Sequence, residues 1–228
     1  MKLQINHVGK RFKNNTWGVR DFSLELNSGI LGLLGAKGVG KTTLLRMLAT
    51  ITKPTCGTIS WNGVDIVTSP NELRAHLGYL PQGFGVFPNL TAWDFLKQVA
   101  AMKGMKMKMA EKRIQQLLEQ FELTQHRHKV LSELSASVRQ RIGIVQALIN
   151  DPQLLILDEP ASGLTNEQWE HLRTVLTQLS HDRIIIIATA KACEVADLAT
   201  EVAVISQGEL LVQGQPEELA EMQYVQSC

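Results

Sequence analysis

Residues 35–42 read Gly-Ala-Lys-Gly-Val-Gly-Lys-Thr, which fits the spacing G-x-x-x-x-G-K-[ST]. One chemistry suits that pattern. Glycines let a tight turn aim backbone N–H groups at phosphate oxygens, and the start of a following helix adds the positive end of its dipole. Gly35, Ala36, Lys37, Gly38, Val39 and Gly40 would form the cradle, with Lys41 reaching the outer phosphates of a nucleoside triphosphate. Thr42 would hold Mg2+, and Thr43 is placed beside it as a further nucleotide contact. The plain alternative is a glycine-rich turn that binds nothing. Glycine supplies only about 7% of residues on average, so chance matches between a strand and a helix are rare.

A second cluster lies at residues 154–159, Leu-Leu-Ile-Leu-Asp-Glu, where an apolar strand ends on two adjacent carboxylates. Ligands of open α/β sheets bind at that end of the strands. Asp158 would hold Mg2+ directly or through water, and Glu159 would polarise the water that attacks the terminal phosphate. A strand followed by an acidic turn is weak evidence alone. Beside the phosphate loop it acquires a purpose.

These groups need elements to carry them. Residues 30–34 form a nearly continuous apolar run entering the phosphate loop, and a helix is predicted from 41 to about 49. Residues 153–158 and 183–188 are apolar runs of strand length, buried on both faces if the sheet is parallel. Between them Trp169, Leu172, Val175, Leu176 and Leu179 mark an amphipathic crossover helix. Residues 3–8 and 22–26 alternate at period two and 57–61 reads as another strand, which together predict an antiparallel sheet. From 90 to about 132 the pattern is helical, with Thr91 and Asp94 spaced as a capping box and Ala110, Ile114, Leu117, Leu118 and Phe121 on one face. Gln207 and Gly208 read as a hairpin turn between 202–206 and 209–212.

Bulk properties narrow the classes. With 44% hydrophobic and 20% charged residues, the 228-residue chain has the composition of one large folded domain, not of a disordered chain. A formal charge of +1 offers no bulk attraction to nucleic acid, and no nucleic-acid partner is expected. Cys56, Cys193 and Cys228 are odd in number and far apart, which suggests neither a disulfide framework nor a zinc site and fits a reducing cytoplasm. The first residues lack the pattern of a signal peptide, and no apolar run approaches the roughly 18 residues that span a membrane. A membrane role would have to come through a partner.

The chain as a whole resembles the ATP-binding subunits of ABC transporters, in the order of its aromatic, phosphate loop, Gln-containing loop, helical insertion, Leu-Ser signature and Asp-Glu strand. The resemblance implies an α/β fold: a P-loop NTPase core with a mostly parallel sheet, an N-terminal antiparallel β subdomain and an inserted α-helical subdomain. Residues 1–89 and 151–228 would form the core and 90–150 the helical part, all within a single ABC ATPase domain. It implies ATP and Mg2+ as ligands, hydrolysis aided by Lys41 and Glu159, and Phe12 stacked on adenine, with Trp17 the weaker candidate. Gln82 would sense Mg2+ and the permease, and Ser135 would contact the nucleotide of the opposite subunit. The implied partners are a membrane permease and a second ATPase subunit, identical or unequal, at the cytoplasmic face of the cell membrane. The aromatic run 83–88 either docks a permease helix or packs on the helical subdomain's own core.

Several positions depart from the family pattern. The signature, normally Leu-Ser-Gly-Gly-Gln, reads Leu134-Ser135-Ala136-Ser137-Val138, followed by the family-like Arg139-Gln140-Arg141. Thr165 stands where the family has a coupling aspartate, and with Gln168 it makes a capping box. Ala190 replaces a histidine that donates to the terminal phosphate; Lys191 follows it. Lys37 replaces a usual asparagine and either meets phosphate or faces solvent. Groups that hold Mg-ATP are kept, whereas those that close a dimer and sense the terminal phosphate are altered. The resemblance therefore predicts an exporter subunit with slow hydrolysis, against a second reading as an ATP-gated interaction module. A P-loop kinase leaves Gln82, the Leu-Ser segment and the carboxylate pair without a shared explanation.

Overall fold

The computed structural model describes residues 1–83 and 89–219. The chain opens with β1 (Leu3–Arg11), β2 (Trp17–Leu26), β3 (Gly29–Leu34), α1 (Lys41–Leu48), β4 (Cys56–Trp61), β5 (Val64–Asp65), α2 (Pro70–His76) and β6 (Leu77–Leu80). A helical stretch follows, with α3 (Ala92–Met102), α4 (Met107–Gln120) and α5 (Ala136–Leu148). The remainder is β7 (Leu154–Asp158), α6 (Asn166–Leu179), β8 (Ile184–Thr189), β9 (Glu201–Ser206), β10 (Glu209–Gly214) and α7 (Pro216–Leu219).

Strands in the order β2-β1-β4-β5 form an antiparallel sheet, and β10-β9-β3-β8-β7-β6 form the main sheet, in which every pair except β10–β9 is parallel. The expected mixed α/β fold is present. Its continuous apolar runs are resolved by the two-residue pleat, which sends alternate side chains to opposite faces. Ile30, Leu34, Leu155, Leu157, Ile185 and Ile187 enter one core with α3, α4, α5 and α6. Leu31, Leu33, Leu154, Ile156, Ile184 and Ile186 enter the other, with α1 and the antiparallel sheet.

Some elements differ from the sequence expectations. β1 and β2 are longer than the alternation indicated, because register shifts between Ile5 and Arg11 break the period. The left-handed backbones of His7 and Asp21 lie in the same region. α2 and β6 were not anticipated. β6 is only four residues long and contains Gly78, where a Cβ would lie 2.0 Å from the Ala147 carbonyl oxygen of α5. That close approach of a helix to a strand requires glycine. At the start of α3 the Thr91 hydroxyl accepts from the Asp94 amide, but it donates to the Asp94 carboxylate at 2.7 Å, so the full reciprocal box is not formed. The Thr165 and Gln168 box at α6 is complete in both directions.

Candidate functional site

The sheet order places the end of β3 and the end of β7 on either side of β8, so the phosphate loop and the carboxylate pair open into one cleft. Lys37, Gly38, Gly40, Lys41, Thr42, Thr43, Gln82, Asp158 and Glu159 line it. Gly40 begins α1 in a left-handed conformation (φ 115°), and a Cβ there would sit 2.2 Å from the Gly18 carbonyl oxygen. Only glycine serves at that point. Gly35 and Ala36 present their carbonyls to Lys41, whereas Val39 turns its half-buried side chain onto the core and accepts from the Gly208 amide at 2.8 Å. Lys37 is exposed at the rim.

Lys41 is only 6% exposed, and its ammonium donates to the carbonyl oxygens of Gly35 at 2.5 Å and Ala36 at 3.2 Å. It stands 3.8 Å from Glu159 Oε1. Burial lowers its pKa, opposed by the nearby charges of Glu159 and Asp158. Thr42 Oγ1 donates to Asp158 Oδ2 at 2.8 Å, while Asp158 Oδ1 is buried with no hydrogen-bond partner. Burial raises the Asp158 pKa against the Thr42 hydroxyl, the Lys41 charge and the Gln82 amide. Glu159 is likewise raised, first by burial and further by Glu194 and Asp158, with Lys41 and Thr189 opposing. A partly buried carboxylate with a raised pKa is a stronger proton acceptor.

The unpaired Oδ1 of Asp158 is available to a bound cation. Oxygen donors from Thr42, Asp158 and Gln82 around an orphaned carboxylate oxygen fit Mg2+, which takes few protein ligands and keeps waters. When bound, Mg2+ neutralises charge on the phosphate oxygens. The chain's own groups do the rest. Lys41 can exchange its loop carbonyls for phosphate oxygens, loop N–H groups can orient the phosphates, and Glu159 can take a proton from water attacking the terminal phosphorus.

Phe12 is exposed, and its ring edge and the Thr43 methyl group converge on Gly18, beside the start of α1. Trp17 lies nearer Gly9 and Cys56, with the Arg11 guanidinium 5.7 Å over its ring. Of the two aromatics, Phe12 is the one that flanks Gly18 together with Thr43.

Ser135 does not line this cleft. It is exposed and caps α5 by accepting from the Val138 amide. Ser137 donates to Gln168 Oε1 at 2.9 Å, the same oxygen that accepts from the Thr165 amide at 3.1 Å. Val138 is only 8% exposed and packs in the core. Ala190 is exposed; Lys191 is 68% exposed in its side chain and pairs with Glu194 at 3.6 Å. The 84–88 part of the aromatic run lies outside the described residues.

Sequence reasoning missed three groups near the cleft. The Thr189 hydroxyl donates to Glu194 Oε2 at 2.6 Å and lies 3.4 Å from Glu159 Oε2. Gln140 reaches the same turn from behind. Only the threonine offered a signal, as the residue closing the strand beside the Asp-Glu strand.

The ABC transporter family model matches residues 19–162. Nod factor export ATP-binding protein I of Cupriavidus metallidurans is 33% identical over 222 residues, covering 95% of this chain and 72% of that protein. The spermidine/putrescine import ATP-binding protein PotA of Protochlamydia amoebophila is 33% identical over 227 residues, covering 96% of this chain and 59% of that protein. The dimeric structure of MJ0796, a bacterial ABC transporter cassette, superposes with a TM-score of 0.87 over 94% of this chain and 98% of that one, at 21% identity. With a phosphate loop and an Asp-Glu strand opening into one cleft of such a fold, the chain belongs to the ABC transporter ATP-binding proteins and is an ATPase of that family.

Proposed function

We propose that this chain binds Mg-ATP in the cleft through Lys41, Thr42, Gln82 and Asp158, hydrolyses it slowly with Glu159 as base, and drives a separate membrane permease as one half of an ATPase dimer. The observation that carries the reading is the contrast within one site. The groups that hold the nucleotide and its cation converge on the cleft, whereas Ala190 offers only a methyl group, and Ser137 and Val138 are engaged within their own chain. Phe12, beside Thr43, is assigned to adenine, and the exposed Ser135 to the nucleotide of the opposite subunit. The dimer of the MJ0796 cassette supports such a pairing.

A groove beside the cleft supports docking of the permease. It is lined by Arg46, Ile51, Tyr79, Gln82 and Met102, and Met102 is 87% exposed. Exposed apolar side chains beside a catalytic cleft suit a partner. Among the described residues no helix is long and apolar enough to cross a membrane, so the membrane component is assigned to another chain at the cytoplasmic face. Export is the direction proposed, in keeping with the Nod factor relative; the PotA relative is named for import.

Phosphate release by the purified chain at saturating Mg-ATP tests the catalytic part. Slow release lowered about 10² to 10⁴-fold by Glu159→Gln is the expected result. Fast release, or release unaffected by that substitution, overturns it. Isolation of the chain with a multi-spanning membrane protein supports transport, whereas isolation with none favours an ATP-gated interaction module.

A further inference from the structure

Four polar or charged side chains are buried among the described residues: Lys41, Gln140, Asp158 and Thr189. Lys41 and Asp158 line the nucleotide cleft, and Thr189 touches Glu159 at its edge. Gln140 belongs to α5, behind the cleft. A buried amide is costly unless its hydrogen bonds are made, so its partners indicate what it is for. Its Nε2 donates to the carbonyl oxygen of Glu159 at 3.3 Å and to that of Pro160 at 3.1 Å. The two N–H groups of one amide thus meet two consecutive carbonyls.

Those carbonyls belong to an unusual turn. β7 ends at Asp158, whose carboxylate meets Thr42. In an extended strand the next side chain points to the opposite face. Glu159 instead adopts φ 53°, and its carboxylate comes to the same cleft, 3.8 Å from Lys41. A left-handed backbone at a residue with a side chain is unfavourable and persists where the surroundings hold it. The Glu159 amide donates to the Ala188 carbonyl at 2.8 Å, and the Ser162 amide donates to the Glu159 carbonyl at 3.2 Å. Gln140 fills the second position on that carbonyl and ties down the next.

We propose that Gln140 is a positioning residue for the catalytic base, fixing through the Glu159 and Pro160 carbonyls the left-handed turn that aims the Glu159 carboxylate into the cleft. This rests on Glu159 being the base. α5 is buried along most of its length, with Val138, Ile142, Gly143, Ile144, Val145, Ala147 and Leu148 in the interior, so it is a firm platform for that amide.

The test is a double-mutant cycle read by phosphate release and by Mg-ATP affinity. Gln140→Met removes both donors at similar volume and helix propensity, and Gln140→Leu also removes both should the methionine variant fail to fold. Displacing a reacting group by about 1 Å costs about a hundredfold. The expected result is a kcat lowered at least about tenfold, with KM and Mg-ATP affinity unchanged within about twofold. In a Glu159→Gln background the same Gln140 substitution should produce no further loss. Unchanged kcat in a Gln140 variant that binds Mg-ATP normally overturns the proposal, as does an equal loss in both backgrounds, which marks a role independent of Glu159. Full turnover by Glu159→Gln alone overturns instead the reading of Glu159 as base.

Discussion

Replacing Lys41 by methionine keeps the aliphatic stem and removes the ammonium. In the free protein that ammonium already donates to the carbonyls of Gly35 and Ala36, at 2.5 and 3.2 Å. Nucleotide binding therefore exchanges two bonds to neutral oxygens for two bonds to phosphate. A hydrogen bond to a neutral group contributes about 1 kcal/mol net and one to a charged group about 2, so the exchange favours binding by about 1 kcal/mol per bond. For two bonds the difference is about 2 kcal/mol, which is about thirtyfold in Kd. Titration of wild type and Lys41→Met with Mg-ATP, followed by calorimetry, measures it. A Kd within about threefold of wild type would remove Lys41 from the phosphate contacts. A loss approaching a thousandfold would show that the loop carbonyls do not compete for the ammonium, contrary to the geometry of the free cleft.

Thr165→Ala removes the hydroxyl that caps α6 and should cost about 1 kcal/mol, read as a melting temperature lower by about 2–4 °C for a chain of this size. No shift would mean that the box contributes nothing. Ala190→His restores a donor within the same subunit, and since one such donor to a charged transition state is typically worth about 10² to 10³ in rate, phosphate release should rise at least about tenfold; no rise would place the cause of slow turnover elsewhere. Burial, with Asp158 adding and Arg46 opposing, pushes the Tyr79 hydroxyl up from 10.0 to about 12. The folded state holds that proton more tightly than the unfolded state, so the Tyr79 contribution to stability is fully present below pH 10 and declines as pH rises toward 12. Tyrosinate absorbance, taken as the difference from Tyr79→Phe, should show the late titration, and ionisation near pH 10 would contradict it.

The fold was legible where periodicity and glycine chemistry speak locally. The phosphate loop, the Asp158-Glu159 strand end and the α6 capping box are each written within a few consecutive residues. β6 was not, because four residues with a central glycine carry no pattern, and the reason for Gly78 lies in α5, far along the chain. The site shows the same limit. Gln140 and Glu194 act on Glu159 across long sequence separations, and a glutamine on a helix reads as a solvated residue until its burial is known. Val138 illustrates a related point. A substitution in a motif invites a reading in terms of the motif, whereas the side chain is held by the core beneath it.

Gln168 Oε1 is shared by the Ser137 hydroxyl and the Thr165 amide, while the Gln168 amide returns to Thr165 Oγ1. Substitutions at positions 137, 165 and 168 are therefore not expected to act independently. Loss of the Ser137 hydroxyl leaves the Thr165 and Gln168 pair intact, so that exchange costs little. Loss of Gln168 turns both donors over to solvent, so it removes two bonds to that oxygen where loss of Ser137 removes one. The coupling among the three positions runs through a single oxygen atom.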